Sequence, residues 1–341
     1  MPFVAEILKH RSLSIVGLDK NTGKTVCLNY LLRRLNQLKV EVAVTSIGVD
    51  GEQTDAVFAT AKPEITLYEG TTFITSELHY RQRQLLAEIV DVDEQRTSLG
   101  RLVTARALTP GKVLLSGAAT TEKLRRQIQH FDSMGVGLTV VDGALSRLSL
   151  ASPTVTEALI LATGAVVSPN IQQLIIRTRY ACRLIALPEV DTALKQRLSI
   201  IESGLWGVDD EGVPHDLQLQ SVFLLDSKAN QLFAYGSTIF VSGAVSDRLL
   251  KVLAAHPQCE STTLIVRDFT KLFITLESYT DFTRRGGKIR VLQQSKLVAV
   301  CLNPTSPHGY RINSDDACKA LSQALEMPVY DVMRPDLLKS T

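Results

Sequence analysis

Residues 14–32 read SIVGLDKNTGKTVCLNYLL, and within them Gly23, Lys24 and Thr25 match the end of the phosphate-binding pattern G-x-x-x-x-G-K-[ST]. In that pattern backbone N–H groups cradle phosphates, the lysine reaches the β- and γ-phosphates, and the hydroxyl coordinates Mg²⁺. The place of the leading glycine is held by Leu18, and the glycine comes one residue early, at Gly17. The chemistry requires a strand before the loop and a helix after it, because a helix N-terminus and its dipole favour an anion. Leu13 to Val16 supplies an apolar strand candidate, and Val26, Leu28, Leu31, Leu32 and Leu35 give the next segment an apolar helical face. The expected nucleotide contacts are Asp19, Lys20, Asn21, Thr22, Gly23, Lys24, Thr25 and Cys27, with Lys24 also expected to act in catalysis. The competing reading is a helix capped by Thr22 beside an incidental lysine.

Phosphoryl chemistry also needs carboxylates at neighbouring strand ends, to hold Mg²⁺ and to orient an attacking group. Asp142 closes the apolar run LTVVD and Asp50 ends VAVTSIGVD; both are expected at the metal with Thr25, and both in catalysis. Glu52 is the alternative to Asp50. Taken alone, an apolar run ending in Asp is more often a turn or a helix cap. Asn303 ends the run KLVAVCLN, where a contact to the nucleotide is expected, although Asn-Pro is also an ordinary turn former. Ser146 and Arg147 are candidates to sense the terminal phosphate, with a plain surface loop as the equal alternative. Arg81, Arg83, Arg101 and Arg106 read as arginines on helical faces; one could stabilise charge, but a solvated or ion-paired face is the simpler reading. The basic stretch TRRGGKIRV (283–291) reads as a turn.

These groups need strands to carry them. Short runs rich in Val, Ile and Leu recur at 13–17, 41–49, 112–117, 138–143, 164–169, 237–245, 262–268 and 296–304. They are nearly continuous rather than alternating, as strands buried on both faces require. Helical patterns follow several of them, at 23–37, 121–130 and 244–255. The expected fold is therefore α/β, a mostly parallel, doubly wound sheet of the P-loop NTPase type with a second α/β segment. The Gly-, Asp- and Pro-rich patch 203–216 marks a boundary between a nucleotide-binding domain, 1–200, and a C-terminal α/β segment, 201–341, either separate or continuous with the first sheet.

Composition narrows the function classes. With 45% hydrophobic and 21% charged residues and a formal charge of +2, the chain of 341 residues reads as globular, with no basic field for nucleic acid. Its five cysteines are scattered without metal-ligand spacing, which reads as reduced thiols. The six histidines show no metal spacing. Charged residues interrupt the N-terminal apolar run, and no stretch reaches the roughly 18 apolar residues of a membrane span. A cytoplasmic protein is expected, with no membrane partner.

The loop GLDKNTGKT resembles that of dethiobiotin synthetase-like P-loop proteins, which also carry the glycine one place early and Asp two residues later. Lys20 lies one off the position of the second lysine of ParA/MinD-like relatives, so that trans-acting role is not carried over to it. More widely, SIVGLDKNTGKTVCLNYLLRRL, AVTSIGVDGE, FITSELHYRQR, LGRLVTARAL, KVLLSG, VVDGALSRLSLASP, EALILATGA and NPTSPHGY resemble a reactivase subunit encoded with adenosylcobalamin-dependent lysine 5,6-aminomutase. The likeness spans most of the chain and thins between about residues 190 and 290. It implies a Mg-ATP-binding, partner-stimulated ATPase that helps release damaged cobalamin from the mutase. Its implied partners are a second reactivase subunit and the mutase; a homodimer is a further expectation. ATP rather than GTP follows from the likeness and from the lack of an N-K-x-D guanine-reading motif. No D-x-H-x-x-G cobalamin motif occurs. Two other classes stay open: an ATP-dependent ligase of the dethiobiotin synthetase or cobyrinate amidation type, and a nucleotide-gated scaffold with little hydrolysis.

Overall fold

A short helix, α1 (Pro2–Ile7), leads into β1 (Ser12–Gly17), in which every residue is buried, as its uninterrupted apolar run implies. The computed structural model describes residues 2–47, 65–143, 152–219 and 229–334. The chain continues through α2 (Lys24–Gln37), β2 (Val42–Ile47), β3 (Ile65–Leu67), β4 (Thr72–Ser76), the single-turn α3 (Glu77–Arg81), β5 (Ala87–Thr97) and β6 (Gly100–Ala107). Next come β7 (Gly111–Val113), β8 (Gly117–Ala118), α4 (Thr121–Ser133), β9 (Leu138–Asp142), β10 (Ala158–Gly164) and α5 (Ile171–Ile185).

A second group of elements follows. It holds α6 (Thr192–Ser199), β11 (Leu205–Val208), β12 (Pro214–Asp216), β13 (Thr238–Val241), β14 (Val245–Ser246) and α7 (Asp247–Ala255). It ends with β15 (Thr263–Val266), β16 (Leu272–Phe273), α8 (Leu276–Arg284) and β17 (Lys288–Val291). The chain closes with β18 (Lys296–Asn303), α9 (Ser314–Leu325) and β19 (Val329–Asp331). By Cα proximity there are two units: Met1–Cys182 with Lys296–Thr341, and Arg183–Ser295. The sequence reading places a boundary near 200 and gives residues 296–341 to the C-terminal segment, with continuity of the sheet left open. In the structure β18 joins the first sheet beside β10 and carries β19 with it.

The large sheet of unit one has ten strands, in the order β19-β18-β10-β1-β9-β2-β4-β6-β5, with β8 paired to β2 off that path. From β19 to β4 all pairs are parallel, and β6 and β5 add an antiparallel ribbon. Successive strand residues face opposite sides, and the core divides accordingly. Leu138 and Val140 of β9 join Phe3 and Ile7 of α1 and Leu28, Leu31 and Leu35 of α2. Val141 joins Leu124 and Ile128 of α4 on the other side. Helices therefore cover both faces of a mostly parallel sheet, the α/β architecture expected. Each wholly buried leucine of α2 contributes about 1.5–3 kcal/mol relative to exposure, which anchors the start of that helix against β1.

Three local expectations are corrected. The run 164–169 is not a strand: the buried strand is Ala158–Gly164, because that register completes ladders with both β1 and β18. The run 112–117 is divided between β7 and β8, which pair with different strands, β3 and β2. Arg101 and Arg106 lie on strand β6, not on a helix, while Arg81 ends α3 and Arg83 follows it. Arg101 makes a two-pronged contact with Glu77, at 2.9 Å from Nε and 2.8 Å from an NH2, and Arg106 meets Glu88 at 3.5 Å. The Arg83 guanidinium lies 3.9 Å from the Tyr80 ring and donates to the Tyr80 carbonyl.

In unit two, β13, β15 and β17 form a parallel core, with β11 antiparallel to β13 and to β12. Val190, Leu198, Val208, Phe240, Ile265 and Leu292 are clustered in its interior. Among the described residues, no helix is long and apolar enough to cross a membrane.

Candidate functional site

The connection from β1 to α2 lies where the order of the sheet turns back on itself. After β1 the chain runs through α2 to β2 on one side, while the chain after β9 returns to β10 on the other. Crevices at such points, beyond the carboxyl ends of the strands, are where open α/β sheets hold ligands. The backbone fixes the levels of the two strand ends: Ile15 pairs across from Asp142, and Ser46 of β2 pairs with Asp142 from the far side. Leu18 N–H donates to Ala162 at 2.9 Å, tying the first loop residue to β10.

From there the loop folds back on itself. Thr22 Oγ1 donates to the Asp19 carbonyl at 3.0 Å, and Lys24 Nζ donates to the same carbonyl at 3.2 Å. Lys20 N–H bonds the Asp19 carboxylate at 2.7 Å. Asn21 and Gly23 are both left-handed, at φ 59° and φ 90°. The early glycine now has a reason. A Cβ on Gly17 would sit 2.2 Å from Thr22 Oγ1 and 2.9 Å from Lys24 Nζ, so the loop closes only over a residue without a side chain.

The start of α2 settles the competing reading of Thr22. Gly23 is the N-cap, and it provides no side-chain cap; Thr22 spends its hydroxyl within the loop. By contrast, α4, α6, α8 and α9 are each capped by a side-chain oxygen, from Thr120, Asp191, Thr275 and Asn313. No acidic residue lies in the first turn of α2. Among the described residues, then, its N-cap offers no side-chain cap and its first turn no carboxylate, the arrangement that suits an external anion.

Electrostatics act in the same place. Burial pushes the Lys24 ammonium below the ordinary lysine value, against the pull of the Asp142 and Asp19 carboxylates, and Lys20 adds to the lowering. Asp142 is half-buried at the end of β9, and its carbonyl accepts from Ser46 Oγ at 3.2 Å. Thr25 is half-buried in the first turn of α2. Asp19 and Lys20 are exposed.

Two expected contacts are placed differently from the others. Cys27 is wholly buried, with its thiol 3.4 Å from Cys301 of β18, so its side chain belongs to the core rather than to the loop surface. The Cys27 contact and burial push the Cys301 thiol well above the ordinary cysteine value. Asn303 does reach the loop, but through backbone: its Nδ2 donates to the Asn21 carbonyl at 3.3 Å. Asp50, Glu52, Ser146 and Arg147 lie outside the described residues. The sequence reading does not single out Ser46, whose signal is the polar pair Thr45–Ser46 within the largely apolar run VAVTSIGV.

Together the structure assembles Gly17, Asp19, Lys20, Asn21, Thr22, Gly23, Lys24, Thr25, Asp142 and Asn303 around one loop. The chemistry of this set is to hold an anion against the helix start with a desolvated cation beside it. No family model matches the chain, and no curated protein or solved structure matches it.

Proposed function

We propose that the loop between β1 and α2 binds the phosphates of ATP, and that unit one is a nucleotide-binding domain of the P-loop NTPase type. The observation that carries this reading is the uncapped start of α2 with the Lys24 amine held over the folded-back loop. The N–H groups of that turn would bind phosphate oxygens, and Lys24 would neutralise charge on the β- and γ-phosphates. Thr25 and Asp142, with Asp50, fit the oxygen-donor chemistry of Mg²⁺, which would screen the phosphate charge when bound. Asp142 would in addition keep Lys24 protonated, since its carboxylate opposes the effect of burial on that group.

For the use of the energy, we propose partner-stimulated ATP hydrolysis that serves an adenosylcobalamin-dependent aminomutase, with a second reactivase subunit, as the resemblance of residues 14–35 and the further stretches suggests. Hydrolysis coupled to a protein client needs two states of different affinity, which ATP and its products would select. The test is calorimetric binding of Mg-ATP to the whole protein, followed by turnover alone, with the mutase and its second subunit, and with small organic acids. Lys24→Ala is expected to weaken Mg-ATP binding about tenfold to a hundredfold, the loss of a charge-assisted contact. If the wild type ignores millimolar Mg-ATP, the phosphate reading is wrong. If an organic acid rather than a protein accelerates turnover, the client reading is wrong and a ligase takes its place.

A further inference from the structure

Asn303 stands at the end of β18, in the stretch where a nucleotide base contact is expected. Among the described residues, however, every polar contact of its side chain goes to backbone. Nδ2 donates to the Asn21 carbonyl at 3.3 Å, and Oδ1 accepts from Thr305 N–H at 3.1 Å. Its main chain is equally committed: the Asn303 carbonyl accepts from Ala165 N–H at 2.9 Å, in line with the β10 ladder. The body of the side chain fills the space over the helix cap. A Cβ on Gly23 would lie 2.9 Å from Asn303 Cβ and 3.3 Å from its Cγ and Nδ2.

These contacts fall on the two residues of the loop with positive φ. Asn21 and Gly23 both have positive φ, and a left-handed residue other than glycine costs free energy unless its surroundings over-determine it. The bond to the Asn21 carbonyl fixes the orientation of the Asn21–Thr22 peptide, and Asn303 occupies the space that a side chain at position 23 would need. Between them lies Thr22, whose hydroxyl closes the loop on Asp19.

We propose that Asn303 is a positioning residue: it locks the 18–23 loop in its anion-cradling form and does not read a nucleotide base. The lock comes from the far end of the chain, on a strand that enters the sheet after unit two. The inference rests on the phosphate-binding reading for its ligand arm and stands on the loop geometry for the other.

The test uses the whole protein with Asn303→Ala and the near-isosteric Asn303→Leu, which keeps bulk over Gly23 and removes both hydrogen bonds. Amide hydrogen exchange across residues 17–26 is measured without ligand, and affinities are measured for Mg-ATP and for Mg-tripolyphosphate, which has no base. Exchange in that segment is expected to quicken roughly fivefold to tenfold in both variants, in keeping with loss of the bond to the Asn21 carbonyl. Affinity is expected to fall by the same factor for both probes, while the global melting temperature stays within a few degrees. Unchanged exchange in both variants overturns the lock. So does weaker ATP binding with unaltered tripolyphosphate binding, which would mark a base contact. A large fall in melting temperature with unaltered affinities would mark a purely structural residue and also overturns it. If wild-type protein binds neither probe, the phosphate reading fails and the exchange rates alone judge the lock. Should Asn303→Ala not fold, Asn303→Leu carries each readout.

Discussion

Two strand–loop–helix passages, one in each unit, treat charge in opposite ways. In unit one, β1 leads through Leu18–Gly23 to α2; in unit two, β13 leads through Ser242–Ala244 and the short β14 to α7. Both helices start with no side-chain cap from the N-cap residue. Yet the first residue of α7 is Asp247, whose carboxylate accepts from Thr275 N–H at 2.8 Å and from Thr275 Oγ1 at 3.0 Å. That helix start brings its own anion, whereas α2 brings a lysine and no acidic residue. The glycines differ as well. A Cβ on Gly17 collides with Thr22 and Lys24, while one on Gly243 would meet nothing within 4 Å. A shared architecture does not confer a shared site: tight closure and a first turn without an acidic residue distinguish the first loop from the second.

The sharpest way to break this contrast is Gly17→Ala. It is expected to cost about 1–3 kcal/mol of stability, as overpacking does, and to abolish detectable Mg-ATP binding at micromolar protein. Urea unfolding and calorimetry check both; normal binding would show that the early glycine is dispensable. In unit two, Asp247→Ala removes the built-in anion and its bonds to Thr275. About 1 kcal/mol of stability should be lost, with ATP affinity untouched, and an altered affinity would mean that the second passage takes part in nucleotide binding.

The third expectation concerns pH. Between the lowered pKa of Lys24 in the fold and the ordinary lysine value, the unfolded chain binds more protons than the folded one at this group. Its contribution to ligand-free stability therefore rises with pH across that window, as the desolvated charge is relieved. Phosphate binding needs the protonated amine, so affinity should fall as pH rises through the same window. Melting and binding curves, each compared with Lys24→Met, should give slopes of opposite sign; equal signs would remove Lys24 from the anion site. The smallest effect is Gly243→Ala, expected within about 0.5 kcal/mol of wild type. A larger loss there would deny the contrast between the two loops.

How far the sequence reveals these regions depends on whether the determinants are local. The passage from β1 to α2 is legible because its strand is continuously apolar, its loop carries glycine and its helix has a single apolar face. Asp142 is legible for a similar reason, as the polar end of a buried run. The β5–β6 ribbon is not. AEIVDVDEQRT mixes strand formers with Asp, Glu, Gln and Arg, and seven of its eleven residues are exposed and none is buried. Only pairing with β6 settles it as a strand, and such pairing overrides propensity. The placement of β18 is hidden for another reason. KLVAVCLN reads as a buried strand in either unit, and its partner, β10, lies far back along the chain. The role of Asn303 follows from that long-range pairing and is therefore equally invisible locally. The Cys27–Cys301 contact is a consequence of the same strand placement.

The insertion of Arg183–Ser295, from the last turn of α5 to β18, also sets an order of assembly during synthesis. β10 emerges from the ribosome with one long edge bare, since its partner along that edge, β18, is encoded after the whole of unit two. From the end of β10 to the end of β18, at about 5–20 residues per second, the wait is roughly 7–28 s, long compared with helix or hairpin formation. Through that interval the nascent chain displays an unpaired apolar strand, a template for mispairing. The loop beside it has no Asn303 against Gly23 and Asn21 until β18 arrives. The anion-binding competence proposed for this loop would thus be a late event in the life of the chain, reached only when its closing strand has been made.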